Sequence, residues 1–303
     1  MPKRLVASFA AAVFVCACGG SPSAPSPMPV QVQVTDSAPT YAGPAAVLVG
    51  AGDIGQCGSP GSELTAKLLD VIDGTVVAAG DNAYPSGSRE DYRNCYHPTW
   101  GRHLSRTRPT PGNHEYETSN AEAYFEYFGS NAGPAGRGYY SYNLGAWHIV
   151  SLNSEVDVRA GSPQEQWLRT DLEANRTVCT AAYWHRPRFS SGQHGNNTDM
   201  QAIWRDLYDL HVDVAISGHD HLYERFAPQD PAGASDPDRG VRQFVVGTGG
   251  GGMHQIASMR PNSEAQGFEW GVLKLTLQSG SYQWEFVPAA GATYRDAGTY
   301  SCH

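Results

Sequence analysis

Short apolar or β-prone runs recur along residues 45–303, and most of them end at a glycine or a polar residue. Runs of this length, bounded by turn residues, are typical of buried β-strands. The runs predict strands at 46–51, 75–79, 107–111, 147–152, 178–184, 212–216, 243–246, 271–277 and 282–287. The last three show alternation of apolar and polar positions, which favours antiparallel pairing.

Three further stretches carry apolar residues at helical spacing. They predict helices at 62–72, with Ser62 as the N-cap, at 163–172, with a proline in the first turn, and at 199–210. The first helix lies between two predicted strands, and such strand–helix–strand units are usually parallel and right-handed. The alternation therefore predicts an α/β fold, without an internal repeat or a second folded domain.

Five polar blocks follow predicted strands. They read Gly52-Asp53, Gly80-Asp81-Asn82-Ala83-Tyr84, Gly112-Asn113-His114-Glu115, Trp184-His185 and Gly218-His219-Asp220-His221. Sites gather where strands end in open α/β sheets, so we expect these side chains to meet. Carboxylates, an amide, a phenol and imidazoles are the donors that a two-metal hydrolytic site requires. A lone Gly-Asp pair is more typical of a turn, so the prediction rests on all five blocks together.

The net charge and the remaining motifs argue against some classes of function. A formal net charge of −9, with no cluster of Lys or Arg, argues against a nucleic-acid partner. The glycine-rich run 247–252 lacks the Lys-Ser/Thr ending of a P-loop, so we expect a close-packed loop near the metal edge. Met253 and His254 follow it and are candidates for the pocket lining, although His254 matches no ligand block.

The N-terminus has the pattern of a signal peptide over residues 1–18. Lys3 and Arg4 precede an apolar run of 14 residues, which is too short to span a bilayer. A small residue before Cys18 resembles a bacterial lipoprotein processing site, with Cys18 lipidated; ordinary cleavage nearby is the alternative. Residues 19–44, rich in Ser, Pro and Ala, predict a flexible tether. Either processing route predicts an exported protein, anchored to a membrane only through a lipid or else secreted or periplasmic.

Four cysteines remain after the predicted signal peptide: Cys57, Cys95, Cys179 and Cys302. An even number in an exported protein favours disulfides. We favour the pairs Cys57–Cys95 and Cys179–Cys302, because Cys57 and Cys95 both sit in loops just after ligand blocks. The other two pairings stay open. Zinc binding is the weaker alternative, because no Cys-x-x-Cys spacing occurs.

The five blocks resemble those of the calcineurin-like metallophosphoesterases, and within them the purple acid phosphatases, over roughly residues 45–250. The resemblance implies a four-layer α/β/β/α sandwich of two mixed β-sheets flanked by helices, in a catalytic domain spanning residues 45–303. It also implies two metal ions as cofactors, iron(III) and a divalent zinc, manganese or iron ion.

The resemblance assigns a ligand set to each ion. The first ion would take Asp53, Asp81, Tyr84 and His221, and the second would take Asp81, Asn113, His185 and His219. Asp81 would bridge the pair, with its two oxygens holding the two cations against their repulsion. Many relatives have histidine where this chain has Gly55, and Tyr84 matches the phenolate ligand of the purple subgroup. An ordinary half-buried tyrosine is the alternative for Tyr84.

Two histidines outside the ligand set are implied to be catalytic. His114 would lie over the phosphate and His194 would serve the leaving oxygen, while a hydroxide held by the metal pair attacks phosphorus. A surface histidine is the alternative for His194, and Gly195 stands where plant members have a further histidine. The residues assigned to support these groups or to contact substrate are Glu115, Arg186, Tyr223 and Glu224. Glu115 would orient His114, and Arg186, Arg188 and Arg225 could bind phosphate or form structural ion pairs.

Together these features predict a metal-dependent phosphoric ester hydrolase that acts on a small monoester. A phosphodiesterase or nucleotidase on the same centre is the alternative, because the metal ligands are common to both. A non-catalytic surface-binding lipoprotein is the weakest interpretation, because all seven ligand positions are filled.

Overall fold

The structure, a computed structural model, describes residues 43–303. The predicted signal peptide, the lipidated Cys18 and nearly all of the predicted tether lie outside the described residues and stay predictions. Within the described range, none of the helices combines the length and the apolarity that crossing a bilayer requires.

Strands and helices alternate along most of the described chain. The strands are β1 (Ala46–Ala51), β2 (Thr75–Ala79), β3 (Thr107–Thr110), β4 (Tyr140–Leu144), β5 (Trp147–Ser151), β6 (Cys179–Tyr183), β7 (Val214–Ser217), β8 (Tyr223–Phe226), β9 (Arg242–Val246), β10 (Ser263–Gly267), β11 (Gly271–Gln278), β12 (Ser281–Pro288) and β13 (Ala297–Ser301). The α-helices are α1 (Gly61–Val71), α2 (Arg89–Asp91), α3 (Glu122–Phe128), α4 (Pro163–Ala174) and α5 (Gln201–Asp209).

The strands form two mixed sheets. The first has the order β13-β12-β11-β1-β2-β3, and the second has the order β10-β8-β9-β7-β6-β5-β4. Strands β1, β2 and β3 are parallel, as are β5, β6, β7 and β9, while the outer strands add to them antiparallel. Two mixed sheets flanked by helices confirm the predicted fold class. Parallel strands present their carboxyl ends at one edge, so each sheet offers one edge for a site.

The second sheet is buried on both faces, because successive side chains of a strand point in opposite directions. In β5, Ile149 belongs to the core that the sheet shares with the first sheet. Its neighbour Val150 belongs to a separate core with Leu168 of α4 and Trp204 of α5. Apolar runs without alternation are typical of such doubly covered strands. Because both faces are packed, the edge of the second sheet at which its parallel strands end is held rigidly.

Several elements differ from the prediction. Strand β9 is parallel to β7 and antiparallel only to β8, so the expected antiparallel pairing is half right. Ser62 does not cap α1, since the helix begins at Gly61 and the Ser62 hydroxyl donates to the Ile54 carbonyl at 2.6 Å. The sequence pattern missed β4, β8, β10, β13, α2 and α3. Of these, β4, β10 and β13 are edge strands, and edge strands need no continuous apolar run.

Two disulfides close the fold, Cys57–Cys95 and Cys179–Cys302. Both are the favoured pairs. Disulfides persist in oxidising compartments, so they fit a protein that folds outside the cytoplasm. The second disulfide ties the end of the described chain to the first residue of β6, because Cys302 follows β13.

We expect loss of the Cys179–Cys302 disulfide to destabilise the domain more than loss of Cys57–Cys95, because it closes 123 residues of chain rather than 38. Replacing Cys179 and Cys302 by Ala should lower the free energy of unfolding by about 2–5 kcal/mol. Urea denaturation of this variant and of the Cys57/Cys95 counterpart measures the difference. A larger loss from the Cys57/Cys95 variant would contradict the chain-entropy argument.

Candidate metal centre

The candidate site lies where the two sheets meet. Six of the seven predicted ligands follow carboxyl ends of parallel strands: Asp53, Asp81 and Asn113 in the first sheet, and His185, His219 and His221 in the second. Gly52 and Gly218 allow the close approach, since a Cβ added at Gly52 would lie 3.2 Å from the Gly218 Cα. A side chain at Gly52 would crowd Gly218, so these glycines let the strand ends of both sheets share one site.

The first donor cluster centres on the Tyr84 hydroxyl. Its oxygen lies 2.9 Å from Asp53 Oδ1, 3.2 Å from Asp81 Oδ2 and 3.1 Å from His221 Nε2. Asp53 Oδ1 and His221 Nε2 are themselves 3.2 Å apart. Donors bonded at about 2.1 Å to one cation lie roughly 3 Å from each other, which is the spacing seen here.

The second donor cluster contains two imidazoles and the same aspartate. His185 Nε2 lies 3.2 Å from Asp81 Oδ2 and 3.2 Å from His219 Nδ1. The other ring nitrogen of His185 faces the Ala79 carbonyl at 3.0 Å, so Nδ1 carries a proton and Nε2 is turned toward the donor cluster. The Asn113 Oδ1 atom is buried and has no hydrogen-bond partner within residues 43–303. A buried acceptor without a partner is costly, and a cation would satisfy it.

Asp81 joins the two clusters through a single oxygen. Its Oδ2 atom is 3.2 Å from both Tyr84 Oη and His185 Nε2, whereas Oδ1 accepts the His114 backbone N–H at 2.9 Å. We expected both oxygens to share the bridging. The contacts place one oxygen between the clusters and leave the other to hold the next loop. The donor set and its spacing fit two cations.

Three of the predicted ligands have left-handed backbones. Asp53, Asp81 and His219 have φ values of 61°, 48° and 70°. This conformation costs about 1–3 kcal/mol for residues other than glycine and is concentrated at functional sites. At each position the left-handed backbone turns the side chain, at the end of a strand, toward the place where the two sheets meet.

The closeness of the Asp53 and Asp81 carboxylates determines which neighbouring groups carry protons. Burial raises the pKa of Tyr84, and the Asp53 and Asp81 carboxylates raise it further. Burial would lower the pKa of His185, but the Asp81 carboxylate raises it to about 10. Burial and the neighbouring His185 lower the pKa of His219 to about 3, which keeps that imidazole neutral. Protons on Tyr84 and His185 thus partner the carboxylates, and a cation binding here would displace them.

We had expected Glu115 to orient the His114 ring, but its carboxylate bonds to other groups. Its carboxylate is fully buried and accepts the backbone N–H groups of Asn82 at 2.9 Å, Ala83 at 3.2 Å and Gly112 at 2.8 Å. Burial raises the pKa of Glu115 to about 8, and nearby Asp81 contributes to the rise. The side chain therefore ties the loop that carries Tyr84 to the loop that carries Asn113.

The two candidate catalytic histidines pack on residues of different donor clusters. His114 packs on the Tyr84 ring at 4.5 Å, donates Nδ1–H to the Pro85 carbonyl, and turns Nε2 to within 3.8 Å of Asp81 Oδ2. His194 stacks on the His219 ring at 4.1 Å. Its backbone N–H donates to Asp220 at 2.9 Å, and burial lowers the pKa of its imidazole.

Arg186 is the arginine that reaches the site. Its Nε atom lies 2.9 and 3.0 Å from the Glu155 carboxylate oxygens, and its Nη1 atom lies 3.5 Å from His219 Nε2. Arg188 bonds to Gln201 and Arg225 pairs with Asp296 and Glu264, so both have structural partners.

Tyr223 and Glu224 support the scaffold. Tyr223 donates its hydroxyl to Asp296 at 2.7 Å, away from the donor clusters. The buried Glu224 carboxylate accepts the Ser191 N–H at 2.9 Å and the Ser263 hydroxyl. Ser191 belongs to the loop that carries His194, so Glu224 holds that loop in place.

His254 is a neighbour of the site that the ligand blocks do not indicate. Its ring stacks on that of His221 at 4.0 Å with an angle of 4°. His254 Nδ1 accepts the His221 backbone N–H at 3.1 Å, and the His254 N–H donates to the His221 carbonyl at 2.8 Å. The only sequence signal for it was its place directly after the glycine-rich run.

Comparison with known proteins gives a consistent result. A family model described as calcineurin-like phosphoesterase matches residues 43–223. The chain is 32% identical over 228 residues to purple acid phosphatase 18 of Arabidopsis thaliana, an alignment that covers 66% of this chain and 48% of that protein. The chain thus spans about half the length of the curated relatives it matches.

Solved structures show the same fold. The purple acid phosphatase PPD1 from yellow lupin (Lupinus luteus) seeds has a TM-score of 0.71 at 21% identity, with 87% of this chain and 55% of that chain covered. GAP50, the anchor in the inner membrane complex of Plasmodium, has a TM-score of 0.70 at 15% identity, with 86% and 90% covered. At these identities the likeness shows the fold alone.

We expect Asp81→Ala to abolish binding of both ions, because Asp81 Oδ2 joins the two donor clusters. Asn113→Ala is the matched variant and should weaken binding of one ion only, because Asn113 lies in the second cluster. Elemental analysis of dialysed protein gives the number of ions bound, and thermal unfolding controls for the fold. Two ions retained by a folded Asp81→Ala variant would contradict the bridging role.

Proposed function

This chain belongs to the calcineurin-like phosphoesterase family, and on that premise we propose that it is a phosphoric ester hydrolase with two metal ions, acting on small phosphomonoesters. The observation that carries the proposal is the position of Asp81 Oδ2, 3.2 Å from both Tyr84 Oη and His185 Nε2. One carboxylate oxygen is thereby shared by two donor clusters. When bound, two such ions supply a nucleophile at neutral pH and offset the charge that develops on the phosphoryl group.

The proposed ligands are Asp53, Asp81, Tyr84 and His221 for the first ion, and Asp81, Asn113, His185 and His219 for the second. Asn113 contributes an uncharged oxygen, so the second cluster carries less negative charge than the first. We therefore propose iron(III) in the first cluster, where a hard phenolate donor favours a trivalent ion. A divalent zinc, manganese or iron ion suits the second.

The remaining residues of the site would bind and orient the substrate. Arg186 is held rigidly by Glu155 beside His219, and a guanidinium fixed in this way suits a phosphoryl oxygen. His114 lies beside the first donor cluster and His194 beside the second, so both border the place where a substrate phosphate would bind. We assign to His114 a contact with the phosphoryl group. We assign to His194 a hydrogen bond to the leaving oxygen, which lowers the barrier as charge develops there.

We expect Tyr84→Phe to remove the visible absorption band of the iron-loaded protein, because the phenolate is the donor that would give iron(III) its colour. The measurement is an absorption spectrum at matched iron content. Tyr208→Phe is the control, since the Tyr208 hydroxyl bonds to Asp236 on another part of the surface. A band of unchanged intensity in the Tyr84→Phe variant would assign the colour to a different ligand.

The activity is tested with a nitrophenyl phosphate monoester and the matching diester, assayed in parallel. We expect monoester turnover to exceed diester turnover by far and to be lost on chelation. We expect His194→Ala to lower the monoester kcat about 10²-fold or more with both ions retained, in the range typical of proton-transfer groups. Preferred diester turnover would instead support a phosphodiesterase. Two bound ions without turnover of either ester would contradict the proposal for these substrates.

A further inference from the structure

A polar cleft of about 470 Å³ opens beside the second donor cluster. His194, His219, Asn197 and Asp199 are among the residues that line it. Glu155 and Arg186 line it as well. Apart from His219, none of these residues belongs to the metal donor set, so the cleft is free to recognise another part of the substrate.

The charges of the cleft are only partly balanced. Glu155 and Arg186 neutralise each other, because Arg186 Nε lies 2.9 and 3.0 Å from the two Glu155 oxygens. The Asp199 carboxylate, in contrast, has no ion-pair partner within residues 43–303. It lies in the turn just before α5, where the Asn197 Oδ1 atom accepts the Asp199 backbone N–H at 3.0 Å. The lining therefore carries a net negative charge.

The position of the cleft decides which part of the substrate enters it. His194, which we assign to the leaving oxygen, stacks on His219 and lines the cleft. A group bonded to that oxygen would enter the same cleft, which Asn197 and Asp199 also line. A second anionic group on the leaving alcohol would be repelled by the Asp199 carboxylate, whereas an ammonium group would be attracted to it.

We propose that this cleft receives the leaving alcohol and selects phosphate esters of small amino alcohols over esters whose alcohol carries a second anion. The proposal rests on the function proposed above and adds the substrate class. Asp199 is the specificity-determining residue. The amide of Asn197 can donate to hydroxyl groups of the same alcohol, since its Oδ1 is already engaged.

The test uses two esters of nearly equal size, phosphoethanolamine and phosphoglycolate, with nitrophenyl phosphate as the reference. We expect wild-type kcat/KM to favour phosphoethanolamine by about tenfold, and Asp199→Asn to reduce this ratio about fivefold. Asp199→Lys should reverse the preference. Glu173→Gln, an exposed change on α4, is the matched control and should leave the ratio unaltered.

A binding measurement separates this proposal from the activity. Calorimetric affinities of the zinc-loaded protein for the two esters should show the same preference and the same response to Asp199→Asn, whether or not the esters are hydrolysed. Equal affinities, or a ratio that Asp199→Asn leaves unchanged, would overturn the proposed selectivity. Absence of turnover with a preserved affinity ratio would count against the proposed hydrolase and still support the cleft.

Discussion

Two carboxylates, Asp53 and Asp81, are buried side by side where the sheets meet. Burying an anion without partners costs several kcal/mol, so every group around them must offer a proton or a positive charge. The second sheet supplies imidazoles at 3.2 Å from each carboxylate, His221 for Asp53 and His185 for Asp81. The two sheets are therefore joined electrostatically as well as by their apolar core. Cations that replace the protons of Tyr84 and His185 would satisfy the same demand with greater charge.

The loops that carry these ligands are themselves held by two buried glutamates. Glu115 collects backbone N–H groups from residues 82, 83 and 112, and Glu224 collects that of Ser191. A buried carboxylate that accepts several N–H bonds fixes the separation of the segments that donate them. The ligand positions thus depend on contacts behind the site. A change at either glutamate would shift ligands without removing any of them.

The sequence was informative wherever the signal was local. A strand followed at once by a polar block locates a ligand at a sheet edge, and this reasoning located six of the seven proposed ligands. It could not tell which oxygen of Asp81 lies between the clusters, or that Glu115 turns away from His114, because these depend on neighbouring loops. The sequence also could not predict the structural roles of Arg225 and Tyr223, because their partner Asp296 lies 71 or more residues further along the chain. Short polar edge strands such as β10 carry little apolar pattern to detect.

The arrangement separates chemistry from selectivity. The donor atoms come from strand ends whose positions are fixed by two packed sheets, and the strained backbones of Asp53, Asp81 and His219 leave them little freedom. The cleft that we assign to the leaving alcohol is formed mostly by two connections, residues 154–158 and 194–199. Loops tolerate substitution better than strand ends. Changes at Asn197 or Asp199 can therefore alter the substrate without disturbing the metal donors, so that relatives with the same ligand blocks need not share a substrate.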